Sequence, residues 1–344
     1  MKSDLKDLSN PLLNNNKLEL KLLKDSDYVK LLEKMITIRI AEEIISDNVK
    51  SGLIKCPCHL AIGQEAIPTA MSQFILSTDK VYGNHRSHGH YLSLSMDTYG
   101  LFAEILGKST GCSKGMGGSM HIVGESHGFA GSVPIVSATI PVAVGSALAM
   151  KLSKNKSLAV SYFGDGTTEE GVLHESLNIA SFYELPVIFV CENNLFSSHM
   201  HISERQKFDS ISRFADAHGI DKLIVDGNDI ESMLSASKIA VEAARNDRKP
   251  FFIEAVTYRW KGHVGHDDNI DVGLQRKEDL KPWKENKDPI KRLKESLIEK
   301  NVLNEEDYIE IQKNIQKKLN DEFKKAVQDP YPSTEQLLNT VYFK

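Results

Sequence analysis

The stretch 158-LAVSYFGDGTTEEGVLHESLNIASFYELPVIFVCENN-194 alternates between apolar and amphipathic segments. The apolar run 158–163 predicts a buried strand, residues 169–184 predict a helix, and the run 186–193 predicts a second strand. The same alternation continues to about residue 260. Strands that alternate with helices in this way indicate an α/β fold, with a mainly parallel sheet flanked by helices.

Two polar turns follow the predicted strands of this stretch. The first strand runs into Gly164-Asp165-Gly166, and the second ends at Asn193-Asn194. Because neighbouring parallel strands end at the same edge of a sheet, we expect the Asp165 carboxylate and the Asn194 amide to lie close together. Their oxygens suit Mg²⁺, which completes its coordination with phosphate oxygens, and glycines allow a diphosphate to approach the backbone. The pattern therefore predicts a magnesium–diphosphate site at this edge.

Composition excludes several classes of protein. The chain of 344 residues is 41% hydrophobic and 26% charged, and its net charge of −5 offers no basic field for nucleic acid. No apolar stretch approaches the ~20 residues that a membrane helix needs, and residues 1–21 lack the apolar region of a signal peptide. We therefore expect a cytoplasmic protein with no membrane partner. The segment 56-CPCH-59 has no second spaced Cys/His pair, which argues against a structural zinc site.

The ends of the chain differ in composition from its centre. Residues 1–27 are rich in Asn and Lys and predict a weakly ordered N-terminal arm. Residues 28–344 predict a single domain that ends in a Lys- and Glu-rich helical extension. Within this domain, the Gly- and Ser-rich segment 107–134 lacks obvious elements, and a segment of that length is usually functional or disordered.

Several motifs occur in the order that one enzyme family shows. They are 59-HLAIGQEA-66, 85-HRSHGH-90, 115-GMGGSMH-121, 140-IPVAVGSALA-149, 164-GDGTTEEG-171, 175-ESLNIA-180, 191-CENN-194, 258-YRWKGH-263 and 330-PYP-332. From about residue 30 onward, the chain resembles the α subunit of thiamine-diphosphate-dependent 2-oxo acid dehydrogenases of the pyruvate and acetoin dehydrogenase type. GDG followed by NN looks like the thiamine-diphosphate motif of that family. The resemblance implies the thiamine-diphosphate-binding fold, with thiamine diphosphate and Mg²⁺ as cofactors.

The resemblance also implies a role for individual residues. The implied metal ligands are the side chains of Asp165 and Asn194 and the backbone carbonyl of Phe196. The implied cofactor-binding residues are His85, Arg86, Val136, Gly164, Asp165, Gly166, Thr167, Asn194, Phe196 and His263. The implied catalytic residues are His59, His85 and His263. Chemistry at a carbonyl needs proton donors, and imidazole titrates in the required range; for His88 and His90, a structural role is weighed equally with a catalytic one.

By this resemblance the chain holds only half of an active site. In the family, the glutamate that activates thiamine belongs to a β subunit, so an α₂β₂ heterotetramer is implied, with a lipoyl acyltransferase core as a further partner. The activity implied is that of an oxidoreductase. It would decarboxylate a pyruvate-like 2-oxo acid, or cleave acetoin, and pass the acyl unit to the disulfide of lipoamide.

Other functions are weighed beside this one. The segment 195-LFSSHMHISERQ-206 departs from the family's usual pattern after NN, which leaves open a transketolase-like acyl- or ketol-transfer enzyme that does not use lipoamide. A non-catalytic scaffold subunit ranks lower, because it would be expected to lack Asp165 or Asn194. A nucleotide-binding dehydrogenase would need a GxGxxG turn that opens a strand–helix–strand unit, and the sequence contains none.

Overall fold

Six parallel strands form the central sheet in the computed structural model of this chain. The strands of the described residues are β1 Lys80–Gly83, β2 Phe129–Ser132, β3 Ala159–Gly164, β4 Val187–Asn193, β5 Phe196–Ser197, β6 Met200–His201, β7 Asp221–Asp226, β8 Phe251–Val256, β9 Ile270–Asp271 and β10 Leu274–Gln275. The central sheet has the order β2-β1-β3-β4-β8-β7, while β5 pairs with β6 and β9 with β10 in small antiparallel hairpins. The structure describes residues 3–13, 15–271, 273–276 and 280–339.

The middle strands of the sheet are buried along almost their whole length. Every residue of β4 and β8 is buried, as are the first five residues of β3, because helices pack against the sheet. Gly164 lies level with Glu192 in the pairing of β3 with β4, and Asn193 lies level with Val256 in that of β4 with β8. The predicted α/β fold, with a mainly parallel sheet flanked by helices, is confirmed.

The side of the sheet on which the chain adds its next strand changes between β1 and β3. The chain passes from β1 to β2 on one side, but from β3 to β4 on the other side. In open sheets of this kind, ligands bind beyond the carboxyl ends of the strands at such a reversal. The fold therefore places the turns after β1, β3 and β4 around one crevice.

Helices surround the sheet and extend to the C-terminal part of the chain. The α-helices of the described residues are α1 Asp25–Lys50, α2 Ala66–Ser72, α3 His88–Ser95, α4 Thr98–Ile105, α5 Thr139–Leu152, α6 Gly171–Phe182, α7 Ile202–Arg205, α8 Arg213–Ala217, α9 Ile230–Glu242, α10 Leu280–Asn286, α11 Pro289–Glu299, α12 Glu305–Gln328 and α13 Thr334–Asn339. A 3₁₀ turn at Asp165–Glu169 links β3 to α6. Helix α1 packs against α11 and α12. Among the described residues, no helix is both long and apolar enough to cross a membrane.

One buried carboxylate organises part of the Gly- and Ser-rich segment 107–134. Glu104, in α4, accepts hydrogen bonds at 2.7–3.0 Å from four backbone N–H groups between residues 113 and 118. Further along, Phe129–Ser132 forms the edge strand β2, which pairs with β1. The sequence FAGS contains no β-branched residue, so local propensity did not predict this strand. Two partners that order the segment, Glu104 and β1, therefore lie outside it.

The N-terminal segment lies against the rest of the protein. Leu5, Leu18 and Leu20 are buried, and the backbone N–H of Asp4 donates to the Asp209 carboxylate at 2.8 Å. The first long helix begins at Asp25. The division of the chain into an arm of residues 1–27 and a domain of residues 28–344 stays a prediction, and residues 340–344 of that domain lie outside the described residues.

Candidate active site

Polar side chains line one cavity at the carboxyl edge of the central sheet. The cavity has a volume of ≈ 220 Å³. Its lining residues are Asn84, His85, Arg86, Val136, Gly164, Asp165, Gly166, Thr167, Glu192, Asn194, Phe196, Ser197, Ser198, Arg259 and His263. All ten residues predicted to bind the cofactor are among them. They come from the ends of β1, β2, β3, β4 and β8 and the turns that follow, so the parallel strands bring together residues that are far apart in the sequence.

The three predicted metal ligands follow β3 and β4. Asp165 is 1% exposed, and its Oδ1 has no hydrogen-bond partner among the described residues. The Asn194 amide donates to Gln64 Oε1 at 3.1 Å, and its Oδ1 accepts a long bond of 3.4 Å from the N–H of Phe196. A buried carboxylate oxygen without a donor is unfavourable unless a ligand pairs with it. This donor set of carboxylate and amide oxygens fits a hard cation such as Mg²⁺.

A close contact holds the turn after β3 against the β5–β6 hairpin. A Cβ atom on Gly166 would lie 2.4 Å from the Ser197 Oγ, so only glycine fits at this position without displacing the hairpin. The hairpin begins at Phe196, whose carbonyl is the third predicted metal ligand. Gly166 therefore contributes to the site by allowing the turn that contains Asp165 to pack against the hairpin that contains Phe196.

A guanidinium group neutralises Asp165 in this structure. Arg205, the last residue of α7, forms ion pairs with Asp165 and Glu169 through separate nitrogens. The Arg205 side chain is only 5% exposed. Burial raises the pKa of the Asp165 carboxyl, and the Arg205 charge opposes that rise. No sequence motif marks Arg205, and it is absent from the predicted site residues.

Arg86 connects loops at the other end of the cavity. Its guanidinium donates to the backbone carbonyl of Leu60 at 2.6 Å and to that of His263 at 3.1 Å. Burial lowers the pKa of Arg86 to about 10, so the group remains charged near neutral pH. Both terminal nitrogens are used by these bonds, and a diphosphate oxygen would share them or bind Nε. Arg86 thus fastens the segments that carry His59 and His263 beside its neighbour His85.

His59, His85 and His263 form a compact group, called here the histidine cluster. Their ring centroids lie 4.8, 4.9 and 5.2 Å apart, and His85 and His263 line the cavity while His59 contacts both of them. Burial, with a smaller effect of the Arg86 charge, lowers the pKa of His59 to about 2 and that of His263 to about 3, and moves the pKa of His85 well below its usual value. The cluster is therefore uncharged near neutral pH.

Several residues that line the cavity were not predicted. Arg259 donates to the Asp271 carboxylate at 3.0 Å and to the Ser198 carbonyl at 2.9 Å, and it adds a second buried cation near Asp165. It belongs to the motif 258-YRWKGH-263, so its position in that motif was the signal available. Glu192 also lines the cavity, next to the predicted Asn194.

The two histidines of α3 lie outside the lining of the cavity. His88 is fully buried between the Glu42 carboxylate, at 3.1 Å, and the Ser119 hydroxyl, at 2.8 Å. His90 stacks on Tyr162 and lies 3.0 Å from Glu192 Oε1. Both side chains have satisfied partners, which favours the structural role over the catalytic one.

Comparisons with known proteins match most of the chain. The family model described as dehydrogenase E1 component matches residues 33–335. The chain belongs to the dehydrogenase E1 component family. The resemblance inferred from the nine motifs is thereby confirmed, as is the prediction that the chain is part of an oxidoreductase. Membership of this E1 family implies thiamine diphosphate as the cofactor.

The relatives within the E1 family include acetoin and pyruvate enzymes. The chain is 34% identical over 324 residues to the α subunit of acetoin:2,6-dichlorophenolindophenol oxidoreductase from Bacillus subtilis (strain 168), a match that covers 93% of this chain and 95% of the relative. It is 32% identical over 315 residues to the pyruvate dehydrogenase E1 component subunit α from Rhizobium meliloti (strain 1021), covering 92% and 90%. It is 34% identical over 329 residues to the chloroplastic subunit α-3 of that component from Oryza sativa subsp. japonica, covering 92% and 76%.

Proposed function

We propose that this chain is the α subunit of a thiamine-diphosphate-dependent dehydrogenase that decarboxylates a pyruvate-like 2-oxo acid, or cleaves acetoin, and passes the acyl unit to lipoamide. One observation carries the proposal: all ten residues assigned to the cofactor from sequence line a single cavity. The names of the E1 relatives support the substrate classes. The cytoplasmic location stays a prediction.

In this proposal, the carboxyl edge of β3 and β4 holds Mg²⁺ and the diphosphate. Asp165 Oδ1, the Asn194 amide oxygen and the Phe196 carbonyl would bind the ion, because hard cations prefer oxygen ligands. The backbone around Gly164, Gly166 and Thr167 would lie along the diphosphate. The buried Arg86 and Arg259 guanidiniums surround the same space and favour a polyanion there.

The histidine cluster lies at the substrate end of the proposed site. Bound thiamine diphosphate would supply the nucleophilic carbon that attacks the substrate carbonyl. The uncharged imidazoles of His85 and His263 can donate an N–H to a developing oxyanion or accept a proton from it. The Nδ1 atoms of His59 and His263 are buried without a hydrogen-bond partner among the described residues, and His263 is the one of the two that lines the cavity.

A β subunit would complete the site in an α₂β₂ assembly and supply the activating glutamate. Two features support this partner. The cavity of ≈ 220 Å³ is smaller than the roughly 300–1,000 Å³ typical of closed ligand pockets. Apolar side chains on the helices that begin at its turns are uncovered: Ile135, next to the lining residue Val136, is 70% exposed, while Leu152 and Phe182, at the far ends of α5 and α6, are 73% and 77% exposed. Apolar surface of this kind is typical of a subunit interface. A lipoyl acyltransferase core is the further partner proposed.

Calorimetry on the complex of this chain with a co-expressed β-type chain tests the cofactor site. We expect thiamine diphosphate to bind in the presence of Mg²⁺, and binding to be lost in Asp165→Ala. The matched control is Glu170→Ala, since Glu170 is exposed, belongs to the same turn and does not line the cavity. Absence of binding, or unchanged binding in Asp165→Ala, contradicts the proposal.

The acceptor is tested on the same complex. Reduction of lipoamide with pyruvate, a branched 2-oxo acid or acetoin supports the dehydrogenase. Carbon–carbon transfer between sugars without any lipoamide reduction supports the transketolase-like alternative instead.

A further inference from the structure

The histidine cluster has the geometry of a nitrogen ligand set. One ligand-capable atom from each of His59, His85 and His263 lies within 4.8 Å of the other two, and this is the only such group of three or more His, Cys, Asp or Glu in the part of the chain that the structure describes. The segment 56-CPCH-59 contributes His59, while its two thiols lie 3.8 Å from each other and belong to no such group.

The imidazoles are free to bind. Nδ1 of His59 and Nδ1 of His263 are buried and lack a hydrogen-bond partner among the described residues. Two unpaired nitrogens in one buried group are unusual, because buried polar atoms are normally satisfied. Metals bind imidazole in its neutral form, and burial favours that form here.

We propose that the histidine cluster binds a divalent d-block cation of the Zn²⁺ type, at a site separate from the oxygen ligands around Asp165. Imidazole nitrogens suit such ions, whereas Mg²⁺ prefers oxygen ligands. Three histidines with an open fourth position form a recurring tetrahedral arrangement.

Small side-chain movements are sufficient to close the site. Zn–N bonds of about 2.0–2.1 Å in a tetrahedron place the nitrogens about 3.4 Å apart. The cluster atoms lie within 4.8 Å of one another, so the largest gap would close by roughly 1.4 Å. Rotation about the Cα–Cβ and Cβ–Cγ bonds of the three rings can supply that distance.

Some of the charged groups around the histidine cluster oppose the binding of a cation, and one favours it. The guanidiniums of Arg86 and Arg259 disfavour a cation. Asp271 pairs with Arg259 at 3.0 Å and also accepts a hydrogen bond from the His263 backbone N–H, which offsets part of that repulsion. A water or hydroxide at the fourth position would offset more.

This inference rests on the proposed function only for its consequence. An ion on the histidine cluster would occupy the substrate end of the site and inhibit the dehydrogenase. Binding of the ion itself requires neither thiamine diphosphate nor a β subunit.

A Co²⁺ titration of the full chain without thiamine diphosphate tests the site, because tetrahedral Co²⁺ has intense visible d–d bands. We expect these bands to appear, to be removed by Zn²⁺ and to be unaffected by excess Mg²⁺. His85→Gln and His263→Gln each remove one ligand, and each should weaken Co²⁺ binding by at least about tenfold. The matched control is His127→Gln, since His127 is exposed and outside the cluster.

Two further variants test whether Co²⁺ binds at the oxygen ligands around Asp165 or at the Cys56 thiol instead of the histidine cluster. Asp165→Asn should keep the bands, because the oxygen ligands are not involved. Cys56→Ser should keep them as well. Absence of bands, bands that persist in both His85→Gln and His263→Gln, or bands lost in Asp165→Asn or Cys56→Ser would overturn the inference. Circular dichroism of each metal-free variant confirms that it is folded. If the proposed function is wrong, calorimetry on the αβ complex will instead show that thiamine diphosphate does not bind.

Discussion

Arg205 pairs with Oδ2 of Asp165, next to the Oδ1 that is proposed to bind magnesium, and its positive charge competes with the ion for the same carboxylate, so Arg205→Gln should strengthen Mg²⁺ binding. The pair is buried, with side chains that are 5% and 1% exposed, and the same guanidinium also binds Glu169. Hydrogen bonds to charged groups contribute about 1.5–3 kcal/mol each. An ion on Oδ1 shares the carboxylate charge with Arg205 and can weaken the bond to Oδ2, and the loss of up to that contribution corresponds to as much as about 150-fold in affinity. Arg205→Gln removes this competition for the carboxylate charge, and we expect the Kd for Mg²⁺ to fall, by up to about 150-fold.

The assay is calorimetric titration of Mg²⁺ into the αβ complex at a saturating concentration of thiamine diphosphate. Lys207→Gln is the control, because it removes the same charge from an exposed position close by in the chain without touching Asp165. A general loss of positive charge would change both variants equally, whereas release of Asp165 changes Arg205→Gln alone. An unchanged or higher Kd in Arg205→Gln would refute the competition and would indicate that Arg205 binds the diphosphate instead.

Three further predictions concern folding. The three imidazoles of the histidine cluster have pKa values below the usual 6.5 in the folded chain, so the unfolded chain binds more protons than the folded chain as the pH falls below about 6.5. The free energy of unfolding should therefore fall toward acid pH by up to about 1.4 kcal/mol per pH unit for each imidazole. Urea midpoints measured between pH 7 and 4 should depend less on pH in His85→Gln than in the unmodified chain. Glu104→Ala leaves four backbone N–H groups without their carboxylate and should destabilise the chain by about 3 kcal/mol or more in thermal unfolding, whereas the exposed Glu125→Ala should have little effect. Gly63→Ala places a Cβ 2.4 Å from the Trp260 ring at a φ of +97° and should lower stability by about 1–3 kcal/mol more than Gly52→Ala, where φ is +78° and no atom lies within 4 Å.

Local patterns predicted the central sheet well. The run 158–163 predicted β3 and 186–193 predicted β4, with shifts of one residue at the ends. Buried parallel strands are nearly continuous apolar runs, so their signal is contained within the strand itself. The edge strand β2 had no such signal, because FAGS is stabilised by pairing with β1 rather than by its own composition.

The residues of the candidate active site also fall into those that the sequence predicted and those that only the structure revealed. From the sequence alone, the order of strand, helix and strand predicted that Asp165 and Asn194 lie close together, while Arg86 and the three histidines were assigned to the site by the family resemblance. Arg205 beside Asp165, and the direct contacts among the three rings of the histidine cluster, appeared only in the folded chain. These contacts join segments up to about two hundred residues apart, and their geometry depends on hairpins and loops whose paths have no periodic signal in the sequence. The positions of the central strands along the chain follow from local hydrophobic patterns, whereas the partner of a buried charge is set by which side chains the packed loops bring within reach.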